Sequence, residues 1–115
     1  MALALLASAP AAAEVRIHTN FDLGDLARCI ADSGATFYGA HWCPVCREQR
    51  ESFGEHAASL PYFECYDGPK SAGMNDTCRE AGVTGLPTWV FADGRVEAGL
   101  MSPLALAAAT HCLNP

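Results

Sequence analysis

The sequence predicts one domain of mixed α/β class. Segments of helical and strand periodicity alternate along the chain in the order helix, strand, helix, strand, helix, hairpin, helix. A Cys-Pro-Val-Cys run falls where the first strand gives way to the second helix. The length of 115 residues, half of them apolar, suffices for one modest core and leaves no room for a second domain.

The chain opens on "MALALLASAPAAAEVRI", an apolar run from Ala2 to Ala7 followed by small residues at Ala11 and Ala13, the spacing a signal peptidase reads before Glu14. Residues 1–13 are therefore expected to be a leader, either a signal peptide or the remnant of a preceding membrane helix, and residues 14–115 the domain. No Lys or Arg precedes the run, and it is too short to span a bilayer by itself. A disordered Ala-rich leader is the bland alternative. Export or tethering implies a periplasmic or lumenal location, with attachment to a membrane in the second case.

"FDLGDLARCIADSG" sets Leu23, Leu26, Ala27 and Ile30 at helical spacing and stops at Gly34, which suits a helix C-terminus. "ATFYGAHW" reads as a buried strand. Pro44 suits the first residue of a helix, with Val45, Gln49, Phe53, Ala57 and Leu60 along its apolar face and Arg47, Glu48, Arg50 and Glu51 on the solvated one. "YFECYD" reads as a second strand, and "NDTCREAG" as a short helix capped by Asn75 or Asp76. "TWVFADGRVEAG" reads as a hairpin turning at Asp93 and Gly94, with Trp89 and Phe91 facing the core. "SPLALAAATHC" closes the chain as a helix with Ser102 as its cap and Pro103 in its first turn.

Composition narrows the function classes. Seven basic against thirteen acidic side chains give a formal charge of -6, with no cluster of Lys or Arg to neutralise phosphates, so nucleic acid is not an expected partner. His18, His56 and His111 are scattered without a ligand partner at useful spacing and read as surface or satisfied histidines. No metal and no other cofactor is expected. Six cysteines in a short chain read as disulfides if the protein is exported, and as metal ligands or catalytic thiols in a reducing cytosol.

The CxxC at a helix start has chemical consequences. Unpaired N–H groups and the positive end of the helix dipole favour an anion there, so the Cys43 thiolate is expected to be the nucleophile. Cys46, one turn further on, is placed to attack a mixed disulfide on Cys43 and is the expected resolving thiol. An exposed helix start flanked by Trp42 would be a poor site for a buried staple.

"WCPVC" resembles the active-site WCxxC of the thioredoxin superfamily, and "GLPTWVFADGRV" resembles that superfamily's cis-proline segment and following hairpin, with Pro87 forty-four residues beyond Cys43. The resemblance covers nearly everything after residue 20. It implies a thioredoxin-like fold with a central mixed β-sheet flanked by helices. It also implies a substrate edge formed by Leu86 and Pro87 opposite the CxxC, with Trp42 beside the nucleophile joining the substrate-binding set. Pro87 would keep a metal or bulky side chain away from Cys43.

A narrower resemblance joins "FYGAHWCPVCREQRESFG", Cys65 in "YFECYD", Cys78 in "NDTCREAGV" and "LPTWVF" over about residues 35 to 112. These are similar to the thioredoxin-like domain that accompanies bacterial and plant vitamin K epoxide reductase homologues. The similarity implies a protein disulfide oxidoreductase that takes electrons from the cysteines of newly exported proteins and hands them to a quinone-reducing, vitamin K epoxide reductase-like membrane partner. That family usually has His where Val45 stands, and Val45 cannot stabilise a thiolate, so a less extreme oxidant is expected than the superfamily's strongest. The reductase-type branch has a buried acid where this chain has Phe37, which counts against a dedicated reductase.

The same resemblance marks Cys65 and Cys78 as an extra pair, expected to form a structural disulfide. Closing a loop of that size would contribute roughly 3 kcal/mol. The rival is a zinc site of Cys43, Cys46, Cys65 and Cys78, although the second pair is wider than a zinc knuckle. Cys29 and Cys112, each placed on an amphipathic helix, are either buried small hydrophobes or a further pair, and the sequence leaves that open. Reductase or isomerase activity is the alternative within the redox class. A non-catalytic zinc module, or a peptide-binding module using a groove near Trp42 and Pro87, is the alternative outside it. "REQRE" reads as a solvated helix face, with Arg47 and Arg50 near enough to the CxxC to steer acidic partners.

Overall fold

The computed structural model describes residues 22–113, so the expected leader, its cleavage point and His18 lie outside the described residues. Helix α1 spans Leu23–Asp32 because Asp22 caps it, its carboxylate accepting the Asp25 N–H, while Leu26, Ala27 and Ile30 share one buried face. Gly34 follows at φ +90, a left-handed conformation that ends the helix without a Cβ penalty. Strand β1, Thr36–Gly39, then enters the core and delivers the chain to α2, Pro44–Glu51.

A 3-10 segment at Gly54–Ser59 leads to β2, Tyr62–Glu64. A second 3-10 turn at Lys70–Ala72 precedes α3, Asp76–Glu80. Strands β3, Thr88–Val90, and β4, Val96–Ala98, form a hairpin, and α4, Pro103–Ala109, follows with Ser102 capping it through the Ala105 N–H. The sheet order is β2-β1-β3-β4. β1 runs parallel to β2, with Gly39 opposite Glu64, and antiparallel to β3, with Phe37 opposite Trp89. This four-stranded mixed sheet flanked by helices is compatible with a thioredoxin-like fold.

The core is centred on Phe37. Its ring stacks on Trp89 at 4.9 Å between centroids and meets the edge of Tyr62 at 5.0 Å. Gln49, fully buried on α2, ties helix to sheet: its Oε1 accepts from Trp89 Nε1 and the Met101 N–H, both at 3.0 Å, and its Nε2 donates to the Met101 carbonyl at 2.8 Å. These bonds satisfy polar groups that would otherwise be stranded in the core.

Two sequence expectations need correction, and one open choice is resolved. The apolar face of α2 is not the stripe from Val45 to Leu60: Val45 is 39% exposed, and the buried positions are Cys46, Gln49 and Phe53. The reason is rotation and length, since Val45 lies about 100° round the helix from Cys46, and the helix stops at Glu51, before Gly54 turns the chain at φ +52. Of the two expected cap candidates for α3, Asn75 takes the place, its Oδ1 accepting the Cys78 N–H at 3.0 Å. Cys112 lies beyond α4 rather than on it. His111 takes φ 62, and the N–H groups of His111 and Cys112 return to the carbonyls of Ala108 and Ala107 at 3.4 and 2.7 Å, closing the helix with a Schellman arrangement.

Candidate functional site

The turn from β1 into α2 is held by the Cys43 N–H donating to the Ala40 carbonyl at 3.1 Å. Cys43 is the N-cap of α2, and its sulfur accepts the Cys46 N–H at 3.1 Å. That bond answers one of the orphan donors of the first turn and sets the sulfur at the positive end of the helix. The helix start is not exposed as expected: Cys43 is only 4% exposed and Cys46 is fully buried, both within the core cluster that contains Phe37 and Phe53. Both thiols are free.

Cys46 sits against Gly39. A Cβ at Gly39 would come within 3.2 Å of its sulfur and 2.7 Å of the Tyr62 ring, so β1 ends on the residue that leaves room for the second thiol. Burial, followed by the hydrogen bond with Cys43, pushes the Cys46 thiol up to about 12, against the opposing pull of the Ala40 N–H and Arg50. Burial and the Glu64 carboxylate likewise hold the Tyr62 hydroxyl in its protonated form, its pKa raised.

The residues before Cys43 are gripped by the loop that follows β2. The His41 N–H donates to Glu64 Oε2 at 3.1 Å, and His41 Nε2 donates to the Gly68 carbonyl at 2.9 Å. Glu64 also accepts from the Tyr62 hydroxyl at 2.8 Å and the Tyr66 N–H at 3.1 Å. The half-buried Trp42 ring meets Tyr66 edge to face at 5.1 Å and carries the Lys70 ammonium over its face at 4.3 Å. Its Nε1 is buried without a partner among the described residues.

The Leu86–Pro87 peptide bond is cis. Leu86 is half-buried and, like Trp42, packs against the core cluster that contains Cys43 and Cys46. Among the described residues its N–H and carbonyl have no backbone partner, whereas the Pro87 carbonyl accepts the Gly99 N–H at 2.8 Å. The Pro87 side chain is fully buried, which narrows the expected contact edge to Leu86.

Cys65, immediately after β2, is bonded to Cys78 in α3, and Cys29 on α1 is bonded to Cys112. The sulfurs of Cys65 and Cys78 are thus committed to each other rather than gathered around Cys43 and Cys46. Among the described residues no group of three or more His, Cys, Asp or Glu side chains is arranged to hold a metal ion. No described helix is long and apolar enough to cross a membrane.

Sequence reasoning missed Glu64, Tyr66 and Lys70. Only the parallel pairing of β1 with β2 brings Glu64 beside Gly39 and the turn, and no local pattern announces that pairing.

Comparison with known proteins bears on what such a dithiol does. No family model matches the chain. Over 71 residues it is 44% identical to the thiol-disulfide oxidoreductase LTO1 of Arabidopsis thaliana. This chain is similar to a thiol-disulfide oxidoreductase. The match covers 59% of the chain and 19% of that relative, so the chain spans less than a fifth of the relative's length.

Proposed function

We propose that this chain is a thiol-disulfide oxidoreductase in which Cys43 and Cys46 form the redox-active pair and Cys65–Cys78 is structural. The observation that carries the reading is the division of the cysteines. Four are bonded in two pairs, and the two that remain are a dithiol at the start of α2, with one sulfur taking a helix N–H and the other fully buried. The 44% identity to a named thiol-disulfide oxidoreductase supports it independently.

In the oxidising direction a client thiolate attacks the Cys43 sulfur of the Cys43–Cys46 disulfide. That bond breaks as the mixed disulfide forms, and Cys46 leaves as a thiolate that takes up a proton. A second client thiolate then attacks the client sulfur, closing the client disulfide and releasing Cys43. The two electrons given up by the client thiols now reside on the Cys43 and Cys46 thiols. Attack of Cys46 on the mixed disulfide is the reverse path and frees the client reduced. Its thiol is pushed up to about 12, so Cys46 holds its proton at neutral pH and Cys43 is the better placed to exchange first. Leu86 and Trp42 both pack against the core cluster that holds the two thiols, and the free N–H and carbonyl of Leu86 offer an extended client strand two backbone bonds.

The clients are cysteine-containing exported proteins in a periplasmic or lumenal compartment, and the electrons pass on to a vitamin K epoxide reductase-like membrane protein. These parts rest on the leader and on the sequence resemblance. Cys46→Ser should accumulate mixed disulfides through Cys43, and Cys43→Ser should not. Equal trapping by both variants, or by neither, refutes the assigned roles. The reduced protein should be reoxidised by membranes containing the partner and quinone; equally fast reoxidation by membranes lacking the partner removes it from the account.

A further inference from the structure

The chain is acidic, with a formal charge of -6, yet among the described residues the cations without an ion pair gather at one place. Arg28 pairs with Asp25, Arg79 with Asp76, and Arg95 with Asp93 at 2.7 Å. Arg47, Arg50 and Lys70 form no ion pair among the described residues. Lys70, the chain's sole lysine, lies 4.3 Å over the ring of Trp42, which directly precedes Cys43. The Arg47 N–H donates to the Cys43 carbonyl at 3.1 Å, so the exposed Arg47 side chain rises from the helix face that carries the nucleophile. Arg50, one turn further on, is half-buried over the Tyr62 ring at 5.1 Å.

Among the described residues no nearby acid forms an ion pair with these cations. The Glu64 carboxylate is engaged by His41, Tyr62 and Tyr66. Asp67 accepts from Asn75 at 3.0 Å. Glu48 is turned about 100° round α2 from Arg47, and Glu51, one turn beyond Arg47 on the same face, is exposed and forms no ion pair with it. Lys70 is also held in position: its segment hangs between β2 and the Cys65–Cys78 bond, and the Asn75 N–H closes that loop on the Cys65 carbonyl at 2.7 Å.

We infer that this rim selects client segments that carry carboxylates beside the reacting cysteine, with Lys70 and Arg47 as the specificity-determining residues. The inference rests on the proposed exchange at Cys43 and names the class of substrate for it. A client Asp or Glu on either side of its cysteine meets Lys70 over Trp42 or Arg47 along α2. A lysine in those places meets like charge. The acidic remainder of the surface repels an acidic client elsewhere, so productive encounters are funnelled to this end of the molecule.

The test uses the oxidised full chain and three single-cysteine peptides that differ only in having Glu, Gln or Lys on both sides of the cysteine. Rates of mixed-disulfide formation are each divided by the same peptide's rate with a small neutral disulfide, which removes the effect of flanking charge on the peptide thiol itself. The Glu peptide should react roughly threefold to tenfold faster than the Gln peptide at low ionic strength. The advantage should shrink toward unity at about 1 M salt, where the Debye length is about 3 Å. Replacing both cations, Lys70→Glu with Arg47→Glu, should invert the preference toward the Lys peptide. Equal normalised rates for all three peptides overturn the inference while leaving the exchange chemistry standing. Absence of reaction with any peptide overturns both.

Discussion

Replacing Gln49 by leucine should destabilise this protein more than its small change in side-chain volume suggests. The side chain is fully buried and serves three partners at once: the Trp89 indole N–H and the N–H and carbonyl of Met101, at 3.0, 3.0 and 2.8 Å. Leucine fills the space and answers none of them. Trp89 is fully buried, so its N–H is stranded without water and loses about 1–3 kcal/mol. Met101 is half-buried, and water can reach part of what it loses; about 1 kcal/mol is assigned to its two groups together. The expected loss is therefore about 3 kcal/mol, since any gain from the extra apolar surface of leucine is small beside a buried orphan. Urea unfolding of oxidised Gln49→Leu, followed by tryptophan fluorescence, should show this as a lower midpoint with an unchanged slope. Gln49→Glu, which keeps one acceptor for Trp89 and can donate when protonated, should recover part of the loss at acidic pH and little at neutral pH. A leucine variant within about 0.5 kcal/mol of the parent, the usual range for a surface change, would refute the reasoning.

Other consequences follow from the same contacts. Gly39→Ala should lose about 1–3 kcal/mol through overpacking, because its Cβ would meet the Tyr62 ring at 2.7 Å and the Cys46 sulfur at 3.2 Å; a neutral effect on thermal unfolding would show that the space beside Cys46 is not filled. The reduced protein should lose stability as pH rises above 9, because the unfolded Cys46 thiol ionises from 9.0 whereas the folded one holds its proton to about 12. The oxidised protein lacks that thiol, so its unfolding midpoint should fall less between pH 8 and pH 10; parallel curves would contradict the assignment. Cys65→Ala with Cys78→Ala should lose roughly 3 kcal/mol from its opened loop and red-shift the emission of Trp42, whose neighbours Tyr66 and Lys70 lie on that loop; an unshifted spectrum would mean that the loop stays in place without its bond.

The fold was legible wherever a local rule had no competitor. Ser102 before Pro103 marks a helix start whatever surrounds it, and Asp93-Gly94 turns a hairpin because glycine takes φ +92 there. The strand order was not legible from spacing, because β1 pairs with β2 on one side and β3 on the other through contacts remote in sequence. Of the candidate site, the CxxC and its place at a helix start could be read directly. The burial of Cys43 could not, since it depends on a core cluster built from residues remote in sequence. The sequence pattern puts Val45 on the buried face because Gln49 and three apolar residues, Phe53, Ala57 and Leu60, continue its spacing, a pattern that Gly54 interrupts. The bond between Cys29 and Cys112 needed the fold itself, because 83 residues separate them and the Schellman turn at His111 brings Cys112 to α1.

Equilibration of the full chain in glutathione buffers of graded potential, with the state of every cysteine read by alkylation and peptide mapping, tests the central claim most directly. One two-electron couple, Cys43 with Cys46, should appear, changing tenfold in ratio per about 30 mV and centred between about -180 and -120 mV. Cys65–Cys78 and Cys29–Cys112 should stay oxidised across the whole range. A midpoint near about -270 mV would make the domain a reductase rather than an oxidant. Failure of Cys43 and Cys46 to form a disulfide at any potential, or titration of Cys65–Cys78 in their stead, would contradict the account outright.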